Sequence, residues 1–69
     1  MHTIRHSKDL GSWIRHTRKA QGLTQADLAA SAGVGIRFIR ELEQGKASCQ
    51  LEKSLHVLHM LGLTLLLKA

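Results

Sequence analysis

The sequence predicts an all-α protein, a bundle of four to five helices followed by one short β-strand. Apolar residues recur at spacings of three and four along most of the chain, as on the inner face of an amphipathic helix. The chain has no proline, and four of its six glycines, Gly22, Gly33, Gly45 and Gly62, each follow one such stretch. Glycine tolerates the left-handed conformation that commonly ends a helix. The 69 residues suit a single domain, with 7–62 as helical core and 63–69 as strand.

The first two predicted helices have clear starting signals. The first runs from about Ser7 to Gln21, with Ser7 or Asp9 as its cap. Its apolar stripe consists of Leu10, Trp13, Ile14 and Thr17. The second begins at Thr24, since Thr24 and Asp27 have the spacing of a capping box with Asp in place of Glu or Gln. Its inner face consists of Leu28, Ala29 and Ala32.

The third predicted helix begins around Gly35 and turns Ile39 and Leu42 inward. Arg37 and Arg40 lie near its start and Glu41 and Glu43 near its end, although the helix dipole favours the reverse placement. Cations at the positive end of a helix indicate arginines directed at an external anion. A surface pair between Arg37 and Glu41, four residues apart, is the alternative explanation.

The fourth predicted helix spans about Gln50 to Leu61, with Leu51, Leu55 and Leu58 on one stripe and Leu61 close beside it. After Gly62, leucines alternate with other residues in LTLLLKA, which is typical of a strand. A lone strand leaves backbone groups unpaired, so we expect it to pair antiparallel with the same segment of a second chain in a homodimer. The residues expected at the dimer contact are Val57, Met60, Leu63, Leu65, Leu66 and Leu67. A frayed tail, or local pairing with His2–Arg5, is the alternative.

The charge of the chain favours a polyanionic partner. Ten Lys and Arg against five Asp and Glu give +5 at pH 7 and a sequence pI near 10.2, which points to nucleic acid or an anionic membrane. Arg5, Lys8, Arg15 and Lys19 around the first helix are individually expected to be solvated, and together to add non-specific attraction. One Phe, one Trp and no Tyr argue against a stacking surface for single strands.

Catalytic, metal and membrane signals are weak. The single Cys49 excludes an internal disulfide, and His56 and His59 have helical ligand spacing without a third ligand. We therefore expect no metal, no cofactor and no enzymatic activity. The start lacks the apolar region of a secretory signal, and the longest apolar run, Leu65–Leu67, cannot cross a membrane. We therefore expect a cytoplasmic protein that does not bind membranes.

The second and third predicted helices, joined tightly near Gly33–Val34, have the pattern of a helix-turn-helix. The stretch RKAQGLTQADLAASAGVGIRFIRELEQGK resembles the lambda-repressor-like (XRE, Cro/C1-type) family. The matching elements are Arg18, GLTQ at 22–25, LA at 28–29, AGV at 32–34, Ile39 and LEQGK at 42–46. The remainder, with its terminal LGLTLLL, is similar to HipB-type antitoxins, small dimeric repressors encoded beside a HipA-type kinase toxin.

The resemblance implies a lambda-repressor-like bundle that binds double-stranded DNA sequence-specifically and represses its own toxin–antitoxin operon. The positions implied to face DNA are Thr24, Gln25, Gly35, Ile36, Arg37, Arg40, Glu41, Gln44 and Lys46. Arg18 and Glu43 match a pair that forms an internal salt bridge. Gly35 and Ile36 replace residues that are polar or charged in many relatives, so hydrogen-bonded base reading falls mainly on Arg37 and Arg40.

The implied partners follow from that family. A homodimer would place two recognition helices about 34 Å apart in successive major grooves of a pseudo-palindromic operator. A HipA-type kinase is the implied protein partner. Two alternatives remain at this point: a general XRE-type regulator without a toxin, and a protein-interaction module that binds through its dimer surface. Binding of a basic amphipathic helix to a membrane surface is a third, less favoured because the apolar stripe of the first helix is needed for the core.

Overall fold

A computed structural model describes residues 2–69 of the chain. It contains α1 (Ser7–Ala20), α2 (Gln25–Ala32), α3 (Ile36–Glu43) and α4 (Leu51–Met60). Helix α3 packs against α1 and α2, and α4 packs against α2. The buried apolar core where they meet consists of Ile14, Leu28, Ala29, Ala32, Ile39, Leu42, Val57, Leu58 and Leu61. The predicted all-α bundle is therefore confirmed, with four helices in the described part of the chain.

The helix starts are set by side chains that accept backbone hydrogen bonds. Thr24 Oγ1 accepts from Asp27 N at 3.0 Å, and Asp27 Oδ2 accepts from Thr24 N at 2.9 Å, so the predicted capping box is confirmed. The predicted cap of α1 was wrong, because His6 occupies that position. Asp9, three residues on, accepts from His6 N at 3.0 Å. Ser7 instead donates its hydroxyl to the carbonyl oxygen of Gly45 at 2.6 Å.

A glycine inside α1 permits a close approach between two helices. The backbones of α1 and the end of α3 nearly touch at Gly11. A Cβ atom on Gly11 would lie 2.5 Å from the carbonyl oxygen of Leu42 and 2.6 Å from that of Glu43. Only a residue without a side chain fits there, and the apolar pattern of α1 did not predict this contact. The four glycines predicted to end helices all have positive φ, which confirms that part of the prediction.

The buried face of α4 overlaps only in part with the predicted one. Leu51 is 69% exposed and Leu55 41% exposed, whereas Ser54, Val57 and Leu58 are buried. The prediction was therefore wrong for Leu51 and Leu55, whereas Leu58 and Leu61 are buried as predicted. The buried Ser54 hydroxyl is satisfied by the carbonyl oxygen of Gln50 at 2.8 Å. Val57, predicted at the dimer contact, lies instead in the core of its own chain with no exposed surface.

The C-terminal segment is extended along the surface, and residues 2–69 contain no β-strand. Leu63 packs against the core, whereas Leu65, Leu66 and Leu67 are 47%, 69% and 103% exposed. The predicted strand is thus not confirmed. In the described chain the tail makes no backbone hydrogen bond with residues 2–5 either. Together with Ile4, Leu10 and Trp13 it lines an apolar groove of about 540 Å³.

Candidate nucleic-acid interface

A buried ion pair fixes α3 against α1. Arg18 Nε donates to Glu43 Oε2 at 2.6 Å, and Arg18 Nη2 donates to Glu43 Oε1 at 3.0 Å. The two side chains are only 8% and 3% exposed. Arg18 Nη1 also donates to the carbonyl oxygen of Leu23 at 2.8 Å, just before α2. The hydrogen bonds to Glu43 raise the pKa of Arg18, so its charge is secure. The pair implied by the family resemblance is present in this structure.

The same carboxylate positions the first residue of α2. Gln25 Nε2 donates to Glu43 Oε1 at 3.2 Å. The amide orientation follows from chemistry, because only its nitrogen can donate to a carboxylate. Glu43 therefore connects α1, α2 and α3 through the side chains of Arg18 and Gln25. The sequence pattern did not predict the contact between Gln25 and Glu43.

The starts of α2 and α3 open on one shallow groove of about 660 Å³. Thr24 and Gln25 line it from α2, and Ile36, 38% exposed, lines it from the first position of α3. Arg40 is exposed and lies one helical turn after Ile36 on the same face of the helix. The amino end of α3 therefore points outward on the same surface as Gln25, as the family resemblance implies. Arg40 itself lies in the last turn of the eight-residue α3, so the prediction that it lies near the start of this helix was wrong.

Two cations of α1 also border this groove. Arg15 and Lys19 line it together with Gln25 and Ile36. The sequence alone predicts both only as solvated cations near the first helix. Their spacing of four puts them on one face of the predicted helix. Together with the neighbouring Arg18, this spacing is the sequence feature that could have placed both at the groove.

A second cluster of charges lies at the side of α3. Arg37 Nε donates to Glu41 Oε1 at 3.0 Å, and Lys46 Nζ pairs with the other oxygen of the same carboxylate. The hydrogen bonds from Lys46 and Arg37 lower the pKa of Glu41, so it is ionised. The surface pair that sequence analysis left as an alternative is therefore present. Arg37 nevertheless stays accessible, because its side chain is 88% exposed.

The remaining residues implied to face DNA lie at the two ends of α3. Gly35 is the exposed cap residue before α3, with extended backbone. Gln44 ends α3, is exposed, and donates its backbone N–H to the carbonyl oxygen of Arg40 at 3.0 Å. Among residues 2–69, Arg40 has no ion-pair partner, so its guanidinium is free to meet a ligand.

Residues 2–69 contain neither a metal-ligand cluster nor a helix that could span a membrane. No group of three or more His, Cys, Asp or Glu side chains is arranged to hold a metal ion in that range. None of the helices described there is long and apolar enough to cross a membrane.

Comparison with known proteins agrees with this geometry. Residues 9–67 match a family model described as a helix-turn-helix domain. A relative from Sinorhizobium fredii (strain NBRC 101917 / NGR234), described as an uncharacterized HTH-type transcriptional regulator y4mF, is 49% identical over 59 residues, or 86% of this chain and 78% of the relative.

Solved structures of HipB have the same fold. A HipB variant in complex with an O2 20mer superposes with a TM-score of 0.91 at 25% identity, covering 100% of this chain and 96% of the other. A HipA–HipB–O2–O3 complex gives a TM-score of 0.91 at 23% identity, covering 100% and 97%, a likeness of fold alone. The chain thus belongs to the helix-turn-helix domain family of transcriptional regulators, in the lambda-repressor-like group that its sequence resembles.

Proposed function

We propose that this chain is a homodimeric repressor that binds operator DNA sequence-specifically. The observation that supports this proposal most directly is that the starts of α2 and α3 face the same groove. Gln25 of α2 and Ile36 of α3 line one groove, and Arg37 and Arg40 are exposed on α3. In a helix-turn-helix, the second helix presents its amino-terminal residues to the major groove while the first crosses the phosphate backbone. The shared groove at the starts of α2 and α3 supports this arrangement.

Phosphate contacts would position the protein on the duplex. Arg15 and Lys19 border the groove on one side, and Lys46, 50% exposed, lies at the other end of α3. Each phosphate neutralised by such a cation releases counterions, so the affinity falls steeply with salt. The proposed uncharged partners of the DNA sugar–phosphate backbone are Thr24, Gln25 and Gln44. Such backbone contacts do not distinguish one base sequence from another.

Base reading would rest on the two arginines of α3. An arginine that donates two hydrogen bonds to O6 and N7 of guanine discriminates by about 1–3 kcal/mol. Arg40 has no ion-pair partner in residues 2–69, and its spacing of four from Ile36 puts both on one face of α3. Ile36, 38% exposed, offers an apolar surface of the kind that contacts a thymine methyl group. We therefore expect guanine, with thymine nearby, in each half-site.

The proposed dimer would explain the exposed apolar tail. Leu65, Leu66 and Leu67 leave a large apolar surface in contact with water in a single chain, and Met60 is 41% exposed. Pairing of residues 63–69 with the same residues of a second copy would cover this surface and satisfy the backbone groups. Two recognition helices would then lie about 34 Å apart on a pseudo-palindromic operator.

We further propose that the chain is a HipB-like antitoxin whose operon encodes a HipA-type kinase. The fold of the whole chain superposes on HipB from an operator complex with a TM-score of 0.91 at 25% identity. Repression would then be autorepression, with the kinase bound to the dimer. The genes beside the coding sequence of this chain test this: one of them should encode a kinase-like protein, and the two chains should co-purify when they are co-expressed. Failure to associate with the product of that gene would reduce the proposal to a general XRE-type regulator.

The repressor proposal is tested by footprinting the DNA upstream of the coding sequence of this chain. We expect protection of two half-sites related by a dyad. In fluorescence-anisotropy titrations the protected duplex should bind at least about 10³-fold more tightly than a random duplex of equal length at physiological salt. Equal affinity for the two duplexes would contradict sequence-specific repression, even if both affinities fall with salt.

A further inference from the structure

We propose that Glu41 is a specificity-determining residue that keeps the cations beside it from binding phosphates freely and positions one of them, Arg37, to read a base. Its carboxylate holds Nε of Arg37 and the ammonium of Lys46 in the free protein. The inference rests on the proposed function, since it concerns how the same surface would separate operator from random duplex. In this inference, Glu41 holds the arginine that reads a base and does not contact a base itself.

The geometry supports this role. We call the Glu41 carboxylate, in contact with both Arg37 and Lys46, the clamp. Glu41 is four residues after Arg37, and its Oε1 accepts from Arg37 Nε at 3.0 Å. Its second oxygen is occupied by Lys46 Nζ. Lys46 itself is placed by a backbone hydrogen bond from its N–H to the carbonyl oxygen of Glu41 at 3.0 Å, across the turn that ends α3. One carboxylate therefore holds a cation from the helix and a cation from the following turn.

The clamp should weaken binding to random DNA. Non-specific affinity comes mainly from cations that neutralise phosphates and release counterions. A phosphate that approaches Arg37 or Lys46 must compete with a carboxylate already in contact with both, and it is also repelled by that carboxylate. The two cations therefore contribute less to random binding than two free cations would.

The clamp should preserve base reading by Arg37. An arginine has five N–H donors, and the bond from Nε to Glu41 leaves the four on Nη1 and Nη2 available. Those terminal nitrogens can donate to O6 and N7 of guanine while Nε stays bound. Because the Arg37 side chain is otherwise 88% exposed, the bond to Glu41 also restricts its rotamers before DNA arrives, which lowers the entropy lost on binding.

The test compares Glu41→Gln with Glu52→Gln in the full chain. Glu52 is an exposed acid in the first turn of α4, so its variant removes the same charge elsewhere. Affinities for the footprinted operator duplex and for a random duplex of equal length are measured by anisotropy over a series of salt concentrations. For E41Q we expect at least about threefold tighter random binding, a salt slope steeper by about one, and a fall of about fivefold or more in the operator-to-random ratio. E52Q should change both affinities equally.

A second variant pair separates positioning from a general charge effect. In an Arg37→Ala background, E41Q should leave the operator-to-random ratio unchanged, because the positioned group is missing. If E41Q and E52Q behave alike, or if E41Q lowers the ratio equally without Arg37, the inference is wrong. If the unmodified protein does not prefer the operator at all, the proposed function fails instead, and the two failures are distinguishable.

Discussion

At the scale of single residues, Glu43 connects more of the structure than any local pattern indicates. It pairs with Arg18 of α1 and accepts from Gln25 of α2, while its own helix presents the exposed arginines. A buried ion pair is weak evidence for stability, because the desolvation of two charges offsets much of their attraction. Its consequence here is geometrical, since it fixes the start of α2 relative to α3 and so aligns the proposed DNA-facing surface.

We expect Arg18→Met to destabilise the fold by about 3 kcal/mol or more, because it leaves the Glu43 carboxylate buried without a cation. Such a loss is large for a domain of this size, whose stability is of the order of 0.05–0.15 kcal/mol per residue. Urea denaturation followed by circular dichroism measures the change. Arg15→Met, on the exposed side of the same helix, is the control and should cost less than about 0.5 kcal/mol. Equal unfolding midpoints for the two variants would contradict the role of the pair.

Arg37→Ala should weaken operator binding and relax the choice of base at one position in each half-site. The expected loss is roughly 5- to 150-fold on the operator, the range for one good contact to guanine. Operator duplexes substituted one base pair at a time, titrated with both proteins, identify the position. Arg5→Ala, in the segment before α1, provides the charge control. An equal loss on operator and random duplex would mean that Arg37 contacts only phosphate.

At the scale of elements, most helix ends and the inner faces of α2 and α3 could be predicted from the sequence, whereas the cap of α1 and the full buried face of α4 could not. Thr24 with Asp27, and the glycines after each helix, act through local hydrogen bonds and backbone conformation, which the sequence contains. The face of α4 depends on which side α2 meets. Leu51, Leu55 and Leu58 have helical spacing, but so do Ser54, Val57 and Leu58. In the folded chain the second set is buried, because packing against the other helices decides which face is covered. Ser54 can be buried because its hydroxyl donates to the carbonyl oxygen of Gln50.

Gly11→Ala separates helix propensity from packing. Alanine is the better helix former by about 1 kcal/mol, so propensity alone predicts a more stable protein. We expect the opposite, a loss of about 1–3 kcal/mol, because the new Cβ would lie 2.5 Å from the carbonyl oxygen of Leu42. Thermal and urea unfolding measure the sign. Gly35→Ser is the control, since a Cβ there meets nothing within 4 Å and serine is a favoured cap. A more stable Gly11→Ala variant would contradict the close approach of α1 and α3.

The capping box of α2 should make stability depend on pH in an acidic window. The hydrogen bonds from the backbone N–H and hydroxyl of Thr24 lower the pKa of Asp27 below its ordinary 3.8. A lowered pKa in the folded state means that the contribution is complete above about 3.8 and is lost as the pH falls through the lower folded-state value. Asp27→Asn should therefore be less stable than the parent at pH 7, with the difference shrinking below pH 3.8. Urea midpoints at several pH values measure it, and a difference that stays constant down to pH 2 would contradict the assignment.

At the scale of the whole molecule, the family motif predicted more than the apolar pattern did. The orientation of α3 beside Gln25 followed from the resemblance, because the ion pair that sets it involves Arg18 and Glu43, which are 25 positions apart. Arg15 and Lys19 could not be placed, since only the packing of α1 beside the start of α2 brings them to the groove. The exchanged strand stays a prediction because its hydrogen-bond partners would belong to a second molecule.

Removal of the tail tests that prediction. Deletion of residues 63–69 should convert the dimer to a monomer in analytical ultracentrifugation, because the proposed backbone partners and the exposed Leu65, Leu66 and Leu67 are lost together. Leu63 also packs on the core, and its N–H donates to the carbonyl oxygen of Leu58 at 2.9 Å. Deletion of 65–69 alone therefore serves as the matched variant, which keeps that contact and the stability of the fold.

Both truncations should also weaken operator binding far more than they weaken binding to a single half-site. Two joined recognition helices bind with an effective concentration that two separate chains lack, and that advantage disappears when the subunits part. The affinity for one half-site depends only on the surface around Gln25 and Arg40, which the tail does not touch. A truncated chain that still sediments as a dimer would contradict pairing through residues 63–69. A monomer with unchanged operator affinity would instead separate dimerisation from DNA recognition.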